Sequence, residues 1–101
     1  MPRTDDRRLL SESELVDALI DLPGWEPKAK QIAKTYTFKK YLDGLEFVVA
    51  IANAAEELDH HPDIHLTWGK VKVSTWTHSS SGVTPLDIKL AKKADQIFES
   101  S

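Results

Sequence analysis

Pro62 restricts what this chain can fold into more than any other residue. Upstream of it, from Tyr41 to about Asp59, apolar residues recur with helical spacing. Leu45, Val48, Val49, Ala52 and Ala55 form a stripe broad enough to pack on a sheet. The small side chains of Ala50, Ala52, Ala54 and Ala55 let such a helix approach a neighbour closely. Proline disfavours helical dihedrals in the residue before it, so the helix is expected to end near His60 and His61 to turn elsewhere. Downstream the period becomes two: "DIHLTW" and "KVKVSTWTH" read as strands joined by a tight turn at Gly69-Lys70. A long helix thus passes directly into a β-hairpin.

The flanks of this unit are also regular. In "LLSESELVDALIDLPGW", Ser11 or Ser13 can cap a helix, and Glu14 stands three residues beyond Ser11, as a capping box requires. Leu15, Ala18, Leu19 and Leu22 keep helical spacing until Pro23-Gly24 stops it. Gln31 to Lys39 reads as a strand with Ile32, Tyr36 and Phe38 in one alternation class, and a shorter strand around Trp25 is expected to pair with it. Thr84 and Pro85 open a closing helix, "TPLDIKLAKKADQIF", in which Ile88, Ala91 and Ile97 recur helically. The order is helix, strands, helix, hairpin, helix. Short links between strands predict an α+β domain, an antiparallel sheet with helices packed on one face. Its open edges would permit pairing between subunits.

The 101 residues suffice for one domain, with 41% hydrophobic and 29% charged residues, a globular composition. A net charge of -3 and the absence of a basic stripe argue against nucleic acid as a partner. There is no cysteine, hence no disulfide and no thiolate. No apolar run approaches the roughly 18 residues of a membrane span. The opening "MPRTDDRRLLSESE" lacks an apolar core of signal-peptide length, so a cytoplasmic location is expected.

Three of four histidines crowd into or against "EELDHHPDIH" at Glu56–His65. Glu56 follows Leu45, Val49 and Ala52 at steps of three and four, so it is expected to continue the buried stripe, partly desolvated. His60, four residues on, would share a proton with it, while His61 faces another way. His78 ends the second hairpin strand beside the loop "HSSSG", a position typical of a pocket rim. Alternation groups it with Lys72, Ser74 and Trp76, leaving Val71, Val73, Thr75 and Thr77 for the opposite face. A metal centre is the rival reading, since His60, His61, Asp63, His65 and His78 are all ligand types. The pair of histidines four apart on one helix face is missing, which argues against it. The remaining reading is a helix end merely decorated with polar groups.

Taken together, these residues resemble the pterin-4a-carbinolamine dehydratase family. The resemblance rests on "E-x-x-x-H-H-P" at Glu56–Pro62, the aromatic Trp68, and "THSSSGVTPLD" with His78 and Asp87. "LPGW" at Leu22–Trp25, "TYTFKKYLDGLEFV" and the closing helix extend it through most of the chain. It implies a four-stranded antiparallel sheet with three helices, and dimers that often pair into tetramers. It also implies dehydration of a 4a-hydroxytetrahydropterin to the quinonoid dihydropterin, with no metal or organic cofactor. By position, His60, His61 and His78 would be catalytic, and Glu56, Asp59, Pro62 and Asp87 would complete the substrate pocket. Residues 1–10 are expected to form a flexible N-terminal segment and residues 11–101 a single domain. Proteins of this fold also serve as a transcriptional coactivator or as an assembly chaperone, which gives the alternative function. Two departures from the family pattern stand out: Leu86 precedes Asp87 where a basic residue can occur, and His65 is extra.

Overall fold

The computed structural model describes residues 7–100. Helix α1 (Glu12–Ile20) begins at Ser11, whose hydroxyl accepts the Glu14 amide while the Glu14 carboxylate accepts the Ser11 amide. The Arg8 guanidinium grips the same carboxylate at 2.9 and 3.0 Å and, with the Ser11 amide, holds Glu14 down to about 2. Strands β1 (Glu26–Lys28) and β2 (Gln31–Thr37) form a hairpin. Helix α2 (Tyr41–Leu58), strands β3 (Asp63–Thr67) and β4 (Lys70–Thr75), a 3₁₀ turn (His78–Ser80) and helix α3 (Pro85–Glu99) follow. The sheet is antiparallel throughout, in the order β1-β2-β4-β3, so β4 is central and β3 is an edge.

The pleat sorts the strands into two faces. Ile32, Tyr36, Val71, Val73 and Thr75 are buried against the helices, while Thr35, Lys72, His65 and Thr67 face the other way. Lys34 belongs to the helix face of β2 and reaches α3. There Asp95 Oδ1 accepts from Lys34 Nζ at 3.0 Å, Tyr36 Oη at 2.6 Å and Trp25 Nε1 at 3.2 Å. Burial and this carboxylate push the Tyr36 phenol well above its ordinary value, so it stays a hydrogen-bond donor. One acceptor therefore ties α3 to β2 and to the chain before β1. At the far end of the core Phe47 sits 4.6 Å from Tyr36 and 5.2 Å from Phe38, ring centre to ring centre, with Phe98 closing the cluster.

The sequence reading of α2 needs one correction. Its buried face is Gly44, Phe47, Ile51, Ala54 and Ala55; of the expected stripe, Ala55 is buried and Val48 packs on the core, whereas Leu45, Val49 and Ala52 are exposed. That second row stays in water, with Leu42 65% and Val49 53% exposed. This helix is apolar on both sides, so period alone cannot choose between them. The larger side chains, Phe47 and Ile51, fill the space over the sheet. Glu56, which extends the outer row, is consequently exposed rather than desolvated. No helix among the described residues is long and apolar enough to cross a membrane.

Candidate functional site

The site begins where α2 ends. Asp59 adopts left-handed dihedrals (φ 51°, ψ 43°), its amide bonding back to Glu56 O while the His60 amide bonds to Ala55 O. This is the paired pattern that closes helices, most often with glycine at the left-handed position. The reversal turns His60 inward, where it is 7% exposed, and Pro62 sends His61 outward ahead of β3. Two adjacent imidazoles thus enter different surroundings.

His60 meets Asp87, from the first turn of α3, with Nε2 2.6 Å from Oδ1. Asp87 is fully buried and completely occupied as an acceptor. Thr75 Oγ1 donates to Oδ1 at 2.6 Å, Thr77 Oγ1 to Oδ2 at 2.9 Å, and the Thr84 amide to Oδ2 at 2.8 Å. Thr77 has one hydroxyl hydrogen and uses it on Asp87, so Thr84, 2.7 Å away, must donate to Thr77. Burial alone would raise the Asp87 carboxyl. The hydrogen bonds from His60, Thr75 and the Thr84 amide outweigh it and hold the group below the ordinary aspartate value. An ionised Asp87 can only accept, which fixes the proton of a neutral His60 on Nε2 and leaves Nδ1 as the basic nitrogen. Asp87 also completes the α3 capping box, so one residue starts the helix and orients the imidazole.

His61 is paired as well. Its Nε2 hydrogen-bonds the Glu56 carboxylate in an exposed couple, with side-chain exposures of 58% and 74%. Glu56 was expected to partner His60; the left-handed turn at Asp59 hands it His61 instead. His78 opens the 3₁₀ turn and stacks on Trp76, ring centres 4.1 Å apart and planes 31° apart. These parts converge on a cleft of about 370 Å³ lined by Asp59, His60, His61, Trp76, Thr77, His78 and Ser79, with Arg7 on its wall. Of the residues expected to form a site, the three histidines and Asp59 share this cleft. Glu56 and Asp87 stand behind it, each holding an imidazole, and Pro62 sets the backbone. Asp63 and His65 lie on β3; among the described residues no three His, Asp or Glu side chains gather closely enough to hold a metal ion.

Sequence reasoning missed Thr75, Thr77 and Arg7. The signal for the threonines was present, since alternation buries both hydroxyls, and a buried hydroxyl requires a partner. Nothing comparable marked Arg7.

The fold and this cleft define a small α+β protein in which three imidazole rings, two of them backed by carboxylates, line one pocket. Comparison with known proteins names the family. The model of the pterin 4 alpha carbinolamine dehydratase family matches residues 8–97, and the chain belongs to that family. A "Putative pterin-4-alpha-carbinolamine dehydratase" of Mycolicibacterium smegmatis is 38% identical over 90 residues, covering 89% of this chain and 96% of the relative. One of the same description from Sulfolobus acidocaldarius is 39% identical, covering 87% and 97%. A crystal structure of a transcriptional coactivator/pterin dehydratase from Brucella melitensis superposes with a TM-score of 0.86 at 39% identity, covering 89% and 98%. A pterin dehydratase-like RuBisCO assembly factor of the alpha-carboxysome shares the fold, with a TM-score of 0.61 at 23% identity, covering 76% and 89%.

Proposed function

We propose that this chain dehydrates a 4a-hydroxytetrahydropterin to the quinonoid dihydropterin, as a cytoplasmic enzyme of pterin cofactor recycling. The observation that carries the reading is the convergence of His60, His61 and His78 on one cleft. In the reaction the C4a–O bond breaks, the hydroxyl leaves as water after protonation, N5 loses its hydrogen, and a C4a=N5 double bond forms. One group must give a proton and another must take one. Imidazoles near neutrality can do either, and such help is worth about 10²–10⁴-fold.

The surroundings of the three rings suggest a division of labour. His61 and His78 are open to solvent; one suits proton delivery to the leaving hydroxyl and the other acceptance of the N5 proton, since water can restore their state after each turnover. His60 is enclosed, with its Nε2 proton committed to Asp87, and suits positioning of the ring and stabilisation of developing charge through Nδ1. Glu56 orients His61. Asp59 accepts from the pterin's amino and ring N–H groups, and Pro62 maintains the divergence of the two histidines. The domain that does this is residues 11–101, to which residues 7–10 of the expected flexible segment are hydrogen-bonded through Ser80 and Val83; residues 1–6 lie outside the described residues. Stopped-flow dehydration of chemically prepared carbinolamine tests the reading: His61→Ala and His78→Ala should each slow the catalysed rate by about 10²-fold or more. Both variants reacting near the wild-type rate would refute the mechanism.

Homodimers or homotetramers are part of the same proposal. The unpaired edge of β3 and the exposed Leu42, Leu45 and Val49 of α2 supply the strand and the apolar surface that subunits would cover. Sedimentation velocity should find a species larger than 11.4 kDa; monomer alone at all concentrations would refute assembly. The same exposed row favours the second reading, a binding module of this fold acting as coactivator or assembly chaperone. Quenching of Trp76 or Trp68 fluorescence by a dihydropterin analogue separates the two, because only the enzyme reading requires it.

A further inference from the structure

Residues 7–10 are fastened along the loop that carries His78. The Ser80 hydroxyl donates to Arg7 O, and the Leu10 amide donates to Val83 O. Leu9 covers Gly82 so closely that an added Cβ there would meet Leu9 Cδ1 at 2.5 Å. This strap carries two arginines, Arg7 and Arg8. Arg8 is engaged by Glu14, whereas Arg7 lines the cleft itself. The family match starts at residue 8, one position after it.

The cleft is therefore lined by side chains of both charges. Asp59 comes from the end of α2, and Arg7 comes from the strap, whose backbone carbonyl at Arg7 accepts from Ser80 of the 3₁₀ turn. A pterin has the same polarity. Its 2-amino group and N3–H form a donor edge suited to a carboxylate, and the C6 substituent leaves from the opposite side of the bicycle. With the donor edge on Asp59, Arg7 is the cation of the cleft lining left for the substituent. A guanidinium is permanently charged and offers paired N–H donors that match a carboxylate or phosphate.

We propose that Arg7 is a specificity-determining residue that selects reduced pterins bearing an anionic C6 substituent. The inference rests on the dehydratase reading for its substrate, though not for its binding test. It commits to the anionic group, and the two sources of that group, phosphate and carboxylate, are separate arms of the experiment.

The test compares three carbinolamines whose C6 substituents are hydroxymethyl, its phosphate monoester, and carboxyethyl, on wild type, Arg7→Gln and Arg8→Gln. Wild type should favour at least one anionic substrate over the neutral one by about 10-fold in kcat/KM, chiefly through KM, the scale of a charge-assisted hydrogen bond. Arg7→Gln should erase that preference, Arg7→Lys should restore part of it, and Arg8→Gln should retain it. Raising salt should erode it. Equal treatment of all three substrates by wild type, or an unchanged preference in Arg7→Gln, overturns the proposal while leaving the dehydratase reading intact. Binding of the corresponding dihydropterins, followed by Trp76 fluorescence, separates the two ideas further. Anion-selective binding lost in Arg7→Gln, without turnover, would uphold Arg7 and defeat the enzyme. Binding of none of the three would defeat both.

Discussion

Asp87→Asn should lower kcat/KM for carbinolamine dehydration by about 10²–10⁴-fold while leaving the fold in place. The reason lies in which donors around Asp87 can reverse. The Thr84 backbone N–H cannot, so the amide oxygen must take the position of Oδ2 and the NH₂ must point to His60 and Thr75. His60 must then accept at Nε2, which moves its proton to Nδ1 and removes the basic nitrogen from the cleft. Imidazole ¹⁵N spectra would show the inverted tautomer, and a variant that kept both its tautomer and its rate would contradict this account. Stability should respond as well. The folded Asp87 carboxyl is held below its ordinary value, so its contribution is complete at neutral pH and is lost as the solution is acidified through that lowered range. The variant should therefore be less stable at neutral pH by about 1–3 kcal/mol, and that difference should shrink in acid. Denaturant titrations at several pH values measure it.

Phe47→Ala should have the largest effect on stability. Phe47 is 2% exposed and touches the rings of Tyr36, Phe38 and Phe98 at once. Large-to-alanine changes in such positions cost about 3–5 kcal/mol, a large share of the 5–15 kcal/mol typical of a domain. For a chain of this size the melting temperature should fall by more than roughly 12 °C. Leu45→Ala, two residues earlier on the exposed side of the same helix, should cost far less in a dilute monomer. Similar losses from the two substitutions would mean that the buried face of α2 has been assigned wrongly.

That comparison also marks where sequence reasoning stopped. Signals carried by neighbours in the chain were legible: the capping boxes at Ser11 and Thr84, the stop at Pro62, and the alternation that buried Val71, Val73, Thr75 and Thr77. What required distant partners was not. Residues Leu45, Val49, Phe47 and Ile51 offer two apolar faces, and only the shape of the sheet selects between them. Glu56 and His60 have the spacing of a helical pair, yet one left-handed residue reassigns Glu56 to His61, and His60 finds its carboxylate 27 positions away. The resemblance supplied the list of site residues. The physical difference between a buried and an exposed imidazole–carboxylate couple came from the fold.

The turn at Asp59 has a consequence for how the cleft withstands thermal motion. Two stiff joints, the left-handed Asp59 and the ring of Pro62, flank the adjacent His60 and His61. The backbone is thereby restrained on both sides of the pair, and each ring is held by its own carboxylate, so heating should dissolve the whole domain before it blurs the aim of the pair.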